Sequence, residues 1–414
     1  MRDKDLYATI LGIRSPWSVT DVLLDAQQEE VQVRVQHLEG PLPCPQCGQD
    51  SPRHDHRERR WRHLDTCQYR TILLAEVPRV RCQQHGVVQV AVPWAVPGSR
   101  FTALMESLII DWLLEANISA VARRLRLTWD EIDGVRQRAV RRGLERRELG
   151  QLKRVGVDET AYQKRHEYVT VVTDLQRGAV LHVADDRRHE SLDGFWATLT
   201  AAQLQGLEAI AMDMWPAYIL SVRAHVPDAE RKICFDRFHV AKLLNEAVNV
   251  VRKQERRELA ARGEDLLAGT KYVFAQNPEH MSPLRRERLD ELRGLHLKVG
   301  RAWALKELAR ELWSYVSRSW AEKAWKKWIG WALRSRLQPM KRVGRTIREQ
   351  LHGILNAIVL GVSNARAEGL NARIQWIKKQ ACGYRNRQRF RDAIFFHLGG
   401  LDLYPRPALA HTKA

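Results

Sequence analysis

Three acidic residues stand where phosphodiester chemistry would use them. Asp158 ends the apolar run Arg154-Val-Gly-Val-Asp158, Asp213 ends Ala209-Ile-Ala-Met-Asp213, and Glu368 opens a helix-like segment far downstream. Carboxylates at the ends of two neighbouring strands and on one helix can hold two Mg²⁺ ions about 3.5–4 Å apart, the arrangement that clamps both oxygens of an in-line displacement. The chain carries 68 Lys+Arg against 49 Asp+Glu, a formal charge of +19. That balance attracts phosphate backbones, because each neutralised phosphate releases condensed counterions. The polyanion it points to is DNA. The bland counterparts are a basic ribosomal or membrane-surface protein and, for an arbitrary glutamate, a solvated surface position.

A second constellation is built on cysteine. Cys44-Pro-Gln-Cys47-Gly and Cys82-Gln-Gln-His85-Gly each place two ligands either side of a two-residue spacer. Two such knuckles can close a tetrahedral site, and four protein ligands mark a structural rather than catalytic Zn²⁺. His54, His56, His63 and Cys67 are rival ligands or solvated surface groups. The redox reading of the Cys-x-x-Cys is weaker because no βαβ pattern surrounds it. The six cysteines, at 44, 47, 67, 82, 234 and 382, are too few and too scattered to form a disulfide framework.

The elements that must position these groups follow from periodicity. With 414 residues and 44% hydrophobic content, the chain has material for two to four domains, each with its own core. Residues 20–38 alternate around Val31, Val33 and Val35 after a polar turn at Gln27-Gln28-Glu29, which predicts a half-exposed β-hairpin. A second strand-like stretch runs from Thr71 to Val80. From Arg100 to Leu144 the period becomes helical, with stripes at Leu104/Leu108/Ile109/Trp112/Leu113, Val121/Leu125 and Ile132/Val135/Ala139. Thr128-Trp-Asp-Glu131 reads as a capping box opening the third helix. The pattern is that of a helix-turn-helix whose last helix would carry Arg136, Arg138, Arg141 and Arg142 to DNA. Asp130, Glu131 and Asp133 crowd the amino end where base contacts are usual, and a bare three-helix packing unit would look much the same.

From Lys153 to Phe235 strands are predicted near 153–158, 167–174, 178–184, 208–213 and 231–235, with helices near 190–202 and 215–225. Three strands followed by strand–helix alternation suit a ribonuclease-H-like sheet, in which the first and fourth strands adjoin. That adjacency would bring Asp158 and Asp213 together. Glu159 would point to the opposite face, since successive strand side chains alternate. Asp236, in Cys234-Phe-Asp236-Arg-Phe-His239, ends the fifth strand one place beyond Asp213, which suits a supporting or DNA-positioning role. His239 either orients a phosphate or water or simply packs at a helix start. Ser363 and Asn364 are good caps for the Glu368 helix. At helical spacing Ala365, Glu368, Ala372 and Gln375 share one face, and Leu370, Ile374 and Ile377 another. The small residues would let the helix approach the sheet.

Between Val240 and Val362 the pattern is helical and rich in tryptophan; Trp328 and Trp331, three apart, are expected to share a packed face. Lys326, Lys327, Lys341, Arg342, Arg345 and Arg348 suit backbone contacts. From 341 to 392 there are 12 Lys/Arg and three Asp/Glu, so Glu368 lies in a basic stretch that fits a DNA strand crossing the site; Lys378, Lys379 and Arg385 are further candidates there. There is no run of 18 apolar residues, and the start lacks a signal-peptide core. The expectation is a cytoplasmic protein without a membrane partner. The tail from Pro405 to Ala414 is expected to fray.

These strings together resemble the insertion-sequence transposases of the ISL-three type, a branch of the DDE transposases. The resemblance spans nearly the whole chain. It rests on Cys44-Pro-x-Cys47, Arg100-Phe101-Thr102, Ser119-Ala-Val-Ala-Arg123, Val157-Asp158-Glu159, Tyr168-Val-Thr-Val-Val172, Met212-Asp213-Met214, Asp236-Arg-Phe-His239, Ser363-Asn364, Glu368-Gly-Leu-Asn371 and Gly383-Tyr384-Arg385-Asn386. Each string alone is weak; their order and separations are specific. His85 departs from the commoner pattern, which has a fourth cysteine, but histidine ligates zinc too.

The resemblance implies a multidomain α/β protein: a zinc-ribbon-like β module (1–97), a helix-turn-helix domain (98–150), and a ribonuclease-H-like core (151–239 and 363–400) interrupted by an all-α insertion (240–362), then a tail (401–414). It implies that Asp158, Asp213 and Glu368 are the DDE triad, served by Mg²⁺ or Mn²⁺, with structural Zn²⁺ on Cys44, Cys47, Cys82 and His85. The implied activity is cleavage and strand transfer at the terminal inverted repeats of its own element. Its partners would be double-stranded DNA and further copies of the chain, and on DNA it would be nucleoid-associated. Two other readings stand beside it: a catalytically inactive DNA-binding regulator of the same descent, and a structure-specific nuclease with the same fold.

Overall fold

Alternation of valines with polar residues builds the first sheet. The computed structural model describes residues 3–38, 40, 42–163, 167–186 and 188–406. It divides into two units, Met1–Arg147 with Phe395–Ala414, and Glu148–Ile394. The first begins with α1 (Asp3–Leu11), followed by β1 (Trp17–Asp25), β2 (Glu30–His37), β3 (Arg53–Arg62), β4 (Arg70–Cys82) and β5 (Gly86–Gln89). β1 and β2 form the antiparallel hairpin, turning at Glu29 in the left-handed region (φ 50°). The sheet order is β1-β2-β4-β3, with β5 also on β4. Val31, Val33 and Val35 point inward to Trp17, Trp61, Leu73 and Trp94, and the Trp17–Trp94 and Trp61–Trp94 rings meet edge-on at 4.9 and 5.4 Å.

Strand β3 was invisible to periodicity because nearly every residue in Arg-His-Asp-His-Arg-Glu-Arg-Arg-Trp-Arg is polar. It lies at the sheet edge, where charged side chains discourage pairing with another chain. Asp55 accepts from Arg79 Nε at 2.6 Å across the β3–β4 pair.

Next come α2 (Ala103–Glu115), α3 (Ile118–Leu125) and α4 (Trp129–Glu145), each started by a side-chain cap from Thr102, Asn117 and Thr128. The Thr128/Glu131 capping box is complete. The buried face of α2 is Met105, Ile109, Ile110 and Leu113, whereas Leu104 and Trp112 are exposed. The expected stripe was therefore rotated about the helix. The end of the chain through Arg406 belongs to this unit. Arg146 donates to the Tyr404 carbonyl at 2.7 Å, and the Tyr404 hydroxyl donates to Asp111 at 2.6 Å. Of the segment expected to fray, 407–414 lies outside the described residues.

The second unit holds β6 (Arg154–Gln163), β7 (Glu167–Asp174), β8 (Ala179–Ala184), α5 (His189–Trp196), α6 (Ala201–Gly206), β9 (Ala209–Met212), α7 (Pro216–His225), α8 (Ala229–Lys232) and β10 (Ile233–Phe235). The sheet order is β10-β9-β6-β7-β8, so the first and fourth of these strands are neighbours. β6–β7–β8 is an antiparallel meander, and β9 and β10 run parallel to β6. Val155, Val157, Ile210, Met212 and Phe235 bury into one core with Trp196 and Leu192.

Residues 240–362 contain helices and no strand: the rest of α9 (Arg237–Ala260), then α10 (Lys271–Ala275), α11 (Pro283–Gly294), α12 (Lys298–Glu311), α13 (Arg318–Arg334), α14 (Gln338–Glu349) and α15 (Leu351–Leu360). On α13 the core stripe is Ala321, Trp325, Trp328 and Ala332, with Trp325 and Trp328 edge-on at 5.6 Å. Trp331, expected to join Trp328, is exposed instead, with Lys327 Nζ 5.0 Å from its ring centroid. Three residues is 300° of helix, enough to carry it past the edge of the stripe. α15 seats on β10 at Gly353, where a Cβ would fall 2.4 Å from the Phe235 ring. Then follow α16 (Ala365–Gln380) and α17 (Arg387–Leu398).

Candidate active site

Sheet register sets the first two carboxylates. In the β6–β9 pair Arg154 faces Ala209 and Gly156 faces Ala211, and the same step carried two residues further brings Asp158 level with Asp213. β9 stops at Met212 while β6 continues to Gln163, so Asp158 sits inside its strand, beyond the last β9 pairing, rather than at a strand end. Asp236 directly follows β10 and starts α9, but caps none of its amides. His239 in the first turn of α9 brings Nε2 to 2.5 Å from Asp213 Oδ1. Ligand atoms of Asp236, His239 and Glu368 all lie within 4.8 Å of one another. That convergent set contains Asp236 and His239, which the sequence reading placed in support.

The electrostatics are those of like charges drawn together. Burial, then the neighbouring charge of Asp213, pushes the Asp158 carboxyl up to about 7. Glu368 is raised by burial and next by Asp236. Burial disfavours charge on His239, but its hydrogen bond to Asp213 and the charges of Asp213, Asp158 and Asp236 outweigh it and raise the imidazole. Glu368 Oε1 is buried without a hydrogen-bond donor. A buried carboxylate oxygen left bare is costly unless a cation or another donor meets it.

Helix α16 is fastened to β6 by polar side chains. Asn371 Nδ2 donates to Asp158 Oδ2 at 2.8 Å, Gln375 Nε2 to Thr160 Oγ1 at 2.6 Å, and Lys378 Nζ to the Ala161 carbonyl at 2.7 Å. The strand-facing row is thus Glu368, Asn371, Gln375 and Lys378. Ala365 and Ala372, expected to make the close approach, are exposed, while Leu370, Ile374 and Ile377 are buried. Asn364, just before α16, packs on Gly156 of β6, where a Cβ would lie 2.9 Å from Asn364 Oδ1 and 2.7 Å from Thr173 Oγ1 of β7. Lys378, a DNA candidate by sequence, is used on the strand carbonyl. Lys379 and Arg385 are exposed.

In the first unit Cys44, Cys47, Cys82 and His85 form one cluster. Cys44 Sγ and Cys82 Sγ lie 3.7 and 3.5 Å from His85 Nδ1, and Cys47 Sγ lies 3.7 Å from Cys82 Sγ. The spacing fits one ion with Zn–S bonds near 2.3 Å. The Gln84 amide, and next His85, bring the Cys82 thiol down to about 6, toward the thiolate that ligates. The rival ligands are elsewhere: His54 and His56 are exposed on β3, Cys67 is exposed in a turn, and His63 is buried with Nδ1 2.9 Å from Thr102 Oγ1.

Three family models match the chain in order: the zinc-finger of transposase IS204/IS1001/IS1096/IS1165 over residues 41–85, the helix-turn-helix domain of transposase family ISL3 over 90–140, and the ISL3 DDE transposase model over 155–394. The last covers more than half of the chain. The chain belongs to the ISL3 transposase family. It is 29% identical to the transposase for insertion sequence element IS1001 of Bordetella parapertussis, over 84% of this chain and 86% of that one. It is 28% identical to the transposase for IS1557 of Mycobacterium tuberculosis, over 97% and 96%.

In this ISL3 transposase the helix-turn-helix arginines divide. Arg136 is buried with Nη2 2.5 Å from Asp133 Oδ1, and Arg138 donates to Glu106 Oε1 at 2.9 and 2.7 Å. Arg142 reaches Glu106 and the Leu403 carbonyl. These three are held inside the unit rather than presented outward, because the buried Asp133 and the fully buried Glu106 need cationic partners. Arg141 alone of the four is exposed. Sequence reasoning missed Glu106, which lies among Met105, Ile109 and Ile110 on the otherwise apolar buried face of α2. It also missed Asn371, whose signal was its place one turn after Glu368.

Proposed function

We propose that this transposase binds the terminal inverted repeats of its own element, cleaves there and transfers the freed strand to target DNA. In this reading residues 151–239 and 363–400 are a ribonuclease-H-like core and 240–362 its helical insertion, with 1–97 and 98–150 as end-recognition modules and 401–414 as the tail. Asp158, Asp213 and Glu368 hold Mg²⁺ or Mn²⁺, and Cys44, Cys47, Cys82 and His85 hold structural Zn²⁺. The observation that carries the proposal is the meeting of Asp236, His239 and Glu368, whose ligand atoms lie within 4.8 Å of one another, with the charges of Asp158 and Asp213 acting on each other nearby and Glu368 Oε1 bare. Hard oxygen donors of this kind suit Mg²⁺.

Divalent ions held there would supply Lewis-acid stabilisation of the phosphate oxygens and a more acidic attacking hydroxyl or water. The chain's own groups prepare that site. His239 holds Asp213, Asp236 adds charge beside Glu368, and Lys379, Arg385 and Arg141 offer cations to the DNA backbone. Joining two element ends in one reaction calls for a dimer or larger assembly. No helix among the described residues is long and apolar enough to cross a membrane, and the proposed setting is the cytoplasm, on nucleoid DNA.

Strand transfer tests this directly: purified protein, Mg²⁺, a donor bearing the element's flanking repeats and a supercoiled target, with Glu368→Gln alongside. Joined product lost in the variant is the expected result. Specific binding without cutting would replace this reading by an inactive regulator, and cutting without joining by a nuclease.

A further inference from the structure

The strand and the helix that carry two of the proposed triad residues are tied together by side chains, and one of those ties ends on a triad carboxylate. We propose that Asn371 is a positioning residue that aims the Asp158 carboxylate and sets its distance from Glu368; this rests on the cation site proposed above. Asp158 Oδ1 accepts the Glu159 backbone N–H at 2.8 Å, and Oδ2 accepts Asn371 Nδ2 at 2.8 Å. A carboxylate oxygen can accept more than one bond. One donor on each oxygen therefore orients the group while leaving it able to meet a cation.

Asn371 Nδ2 also lies 3.4 Å from the Glu159 carbonyl. Both neighbours are acceptors, so the amide nitrogen rather than its oxygen must face the strand. Asn371 is three residues after Glu368 on the same helix face, which makes α16 a ruler between the two carboxylates. With the helix seated on Asp158, Glu368 cannot shift along β6 without breaking that bond. Gln375 supplies an internal control. It makes the next rung, on Thr160 Oγ1 at 2.6 Å, fastening the same helix to the same strand without touching a carboxylate.

The test is titration of the full-length protein with Mn²⁺, following the free aquo ion by electron paramagnetic resonance. This reads ion binding without DNA or turnover. Asn371→Ala is expected to weaken Mn²⁺ binding by roughly 10–100-fold, the usual effect of removing a group that orients a ligand, and Gln375→Ala by less than about threefold on the same scale. Asn371→Leu keeps the volume and loses the donor, and gives the same reading should the alanine variant fail to fold. In the joining assay kcat should fall with the KM for donor DNA unchanged. Wild-type Mn²⁺ affinity in the Asn371 variants, or equal weakening in Gln375→Ala, would overturn the proposal. Absence of Mn²⁺ binding by the wild-type protein would instead overturn the cation site itself, and this inference with it.

Discussion

The two ligand clusters of this transposase are built in opposite ways. Cys44 and Cys47 share one turn, Cys82 and His85 another, and each pair is complete in four residues of sequence. The carboxylate cluster draws single residues from β6, the end of β9, the end of β10 and the first turn of α16, with His239 from the start of α9. The first arrangement closes four borderline-soft ligands around one point, leaving no position for a substrate. The second brings like charges together in a buried place, and burial, then the charge of Asp213, drives Asp158 up to about 7. The cysteine–histidine cluster is written locally, whereas the carboxylate cluster is assembled from a distance by a fold that bears its repulsion.

That contrast can be attacked at either end. The largest effect should come from the knuckles. Cys44→Ser with Cys47→Ser should abolish Zn²⁺ retention, measured by elemental analysis, and with it specific binding to the element ends, since structural zinc contributes on the order of 10 kcal/mol to small domains. Unchanged zinc content would end the proposal for that site. Glu368→Gln should act on chemistry alone, lowering joining by about 10³-fold, or ~4 kcal/mol, with affinity for the ends within about threefold on a gel-shift titration.

Glu106→Gln tests whether the buried ion cluster of the helix-turn-helix is structural. Removing the charge that Arg138 and Arg142 share should cost about 3 kcal/mol, read as a lower urea midpoint. A midpoint equal to wild type would mean that these arginines are free to serve DNA. The smallest effect concerns His63, whose burial, with Arg62 nearby, brings its pKa down to about 4. The folded protein therefore keeps it neutral while the unfolded chain, with an ordinary value near 6.5, takes up the proton first. Its contribution is fully present above pH ~6.5 and is lost as pH falls toward 4, by at most about 3 kcal/mol. His63→Gln should flatten that part of the stability profile measured by urea denaturation from pH 4 to 7.

Much of the second unit was legible because its strands are apolar runs bounded by polar turns. Val155 and Val157, which lead to Asp158, and Ile210 and Met212, which lead to Asp213, are buried. The Thr128–Glu131 box was legible for a different reason: capping is local hydrogen bonding, written in four residues. Strand β3 was not, because an edge strand needs little apolar surface and its ten residues offer almost none. Arg136 and Arg138 were misread as outward-facing because charge alone does not reveal a buried partner such as Asp133 or Glu106. The face of α16 was read only in part, with Gln375 placed on it correctly and Ala365 and Ala372 not, for a related reason. Small residues suggested close approach, but the helix approaches through Asn371, Gln375 and Lys378, whose acceptors lie on a strand more than 200 residues away.

By itself the sequence determined the kinds of chemistry available: two ligand pairs with metal spacing, three acids set against apolar runs and a helix start, and enough positive charge to seek DNA. Spacing and period carry such information because they act over a few residues, where backbone geometry leaves little choice. Tertiary structure decided the company those groups keep. It put Asp213 beside His239, Asp236 beside Glu368 and Asn371 on Asp158, because sheet register and helix rotation depend on the packing of the whole core, and a rotation of one residue exchanges a buried partner for solvent.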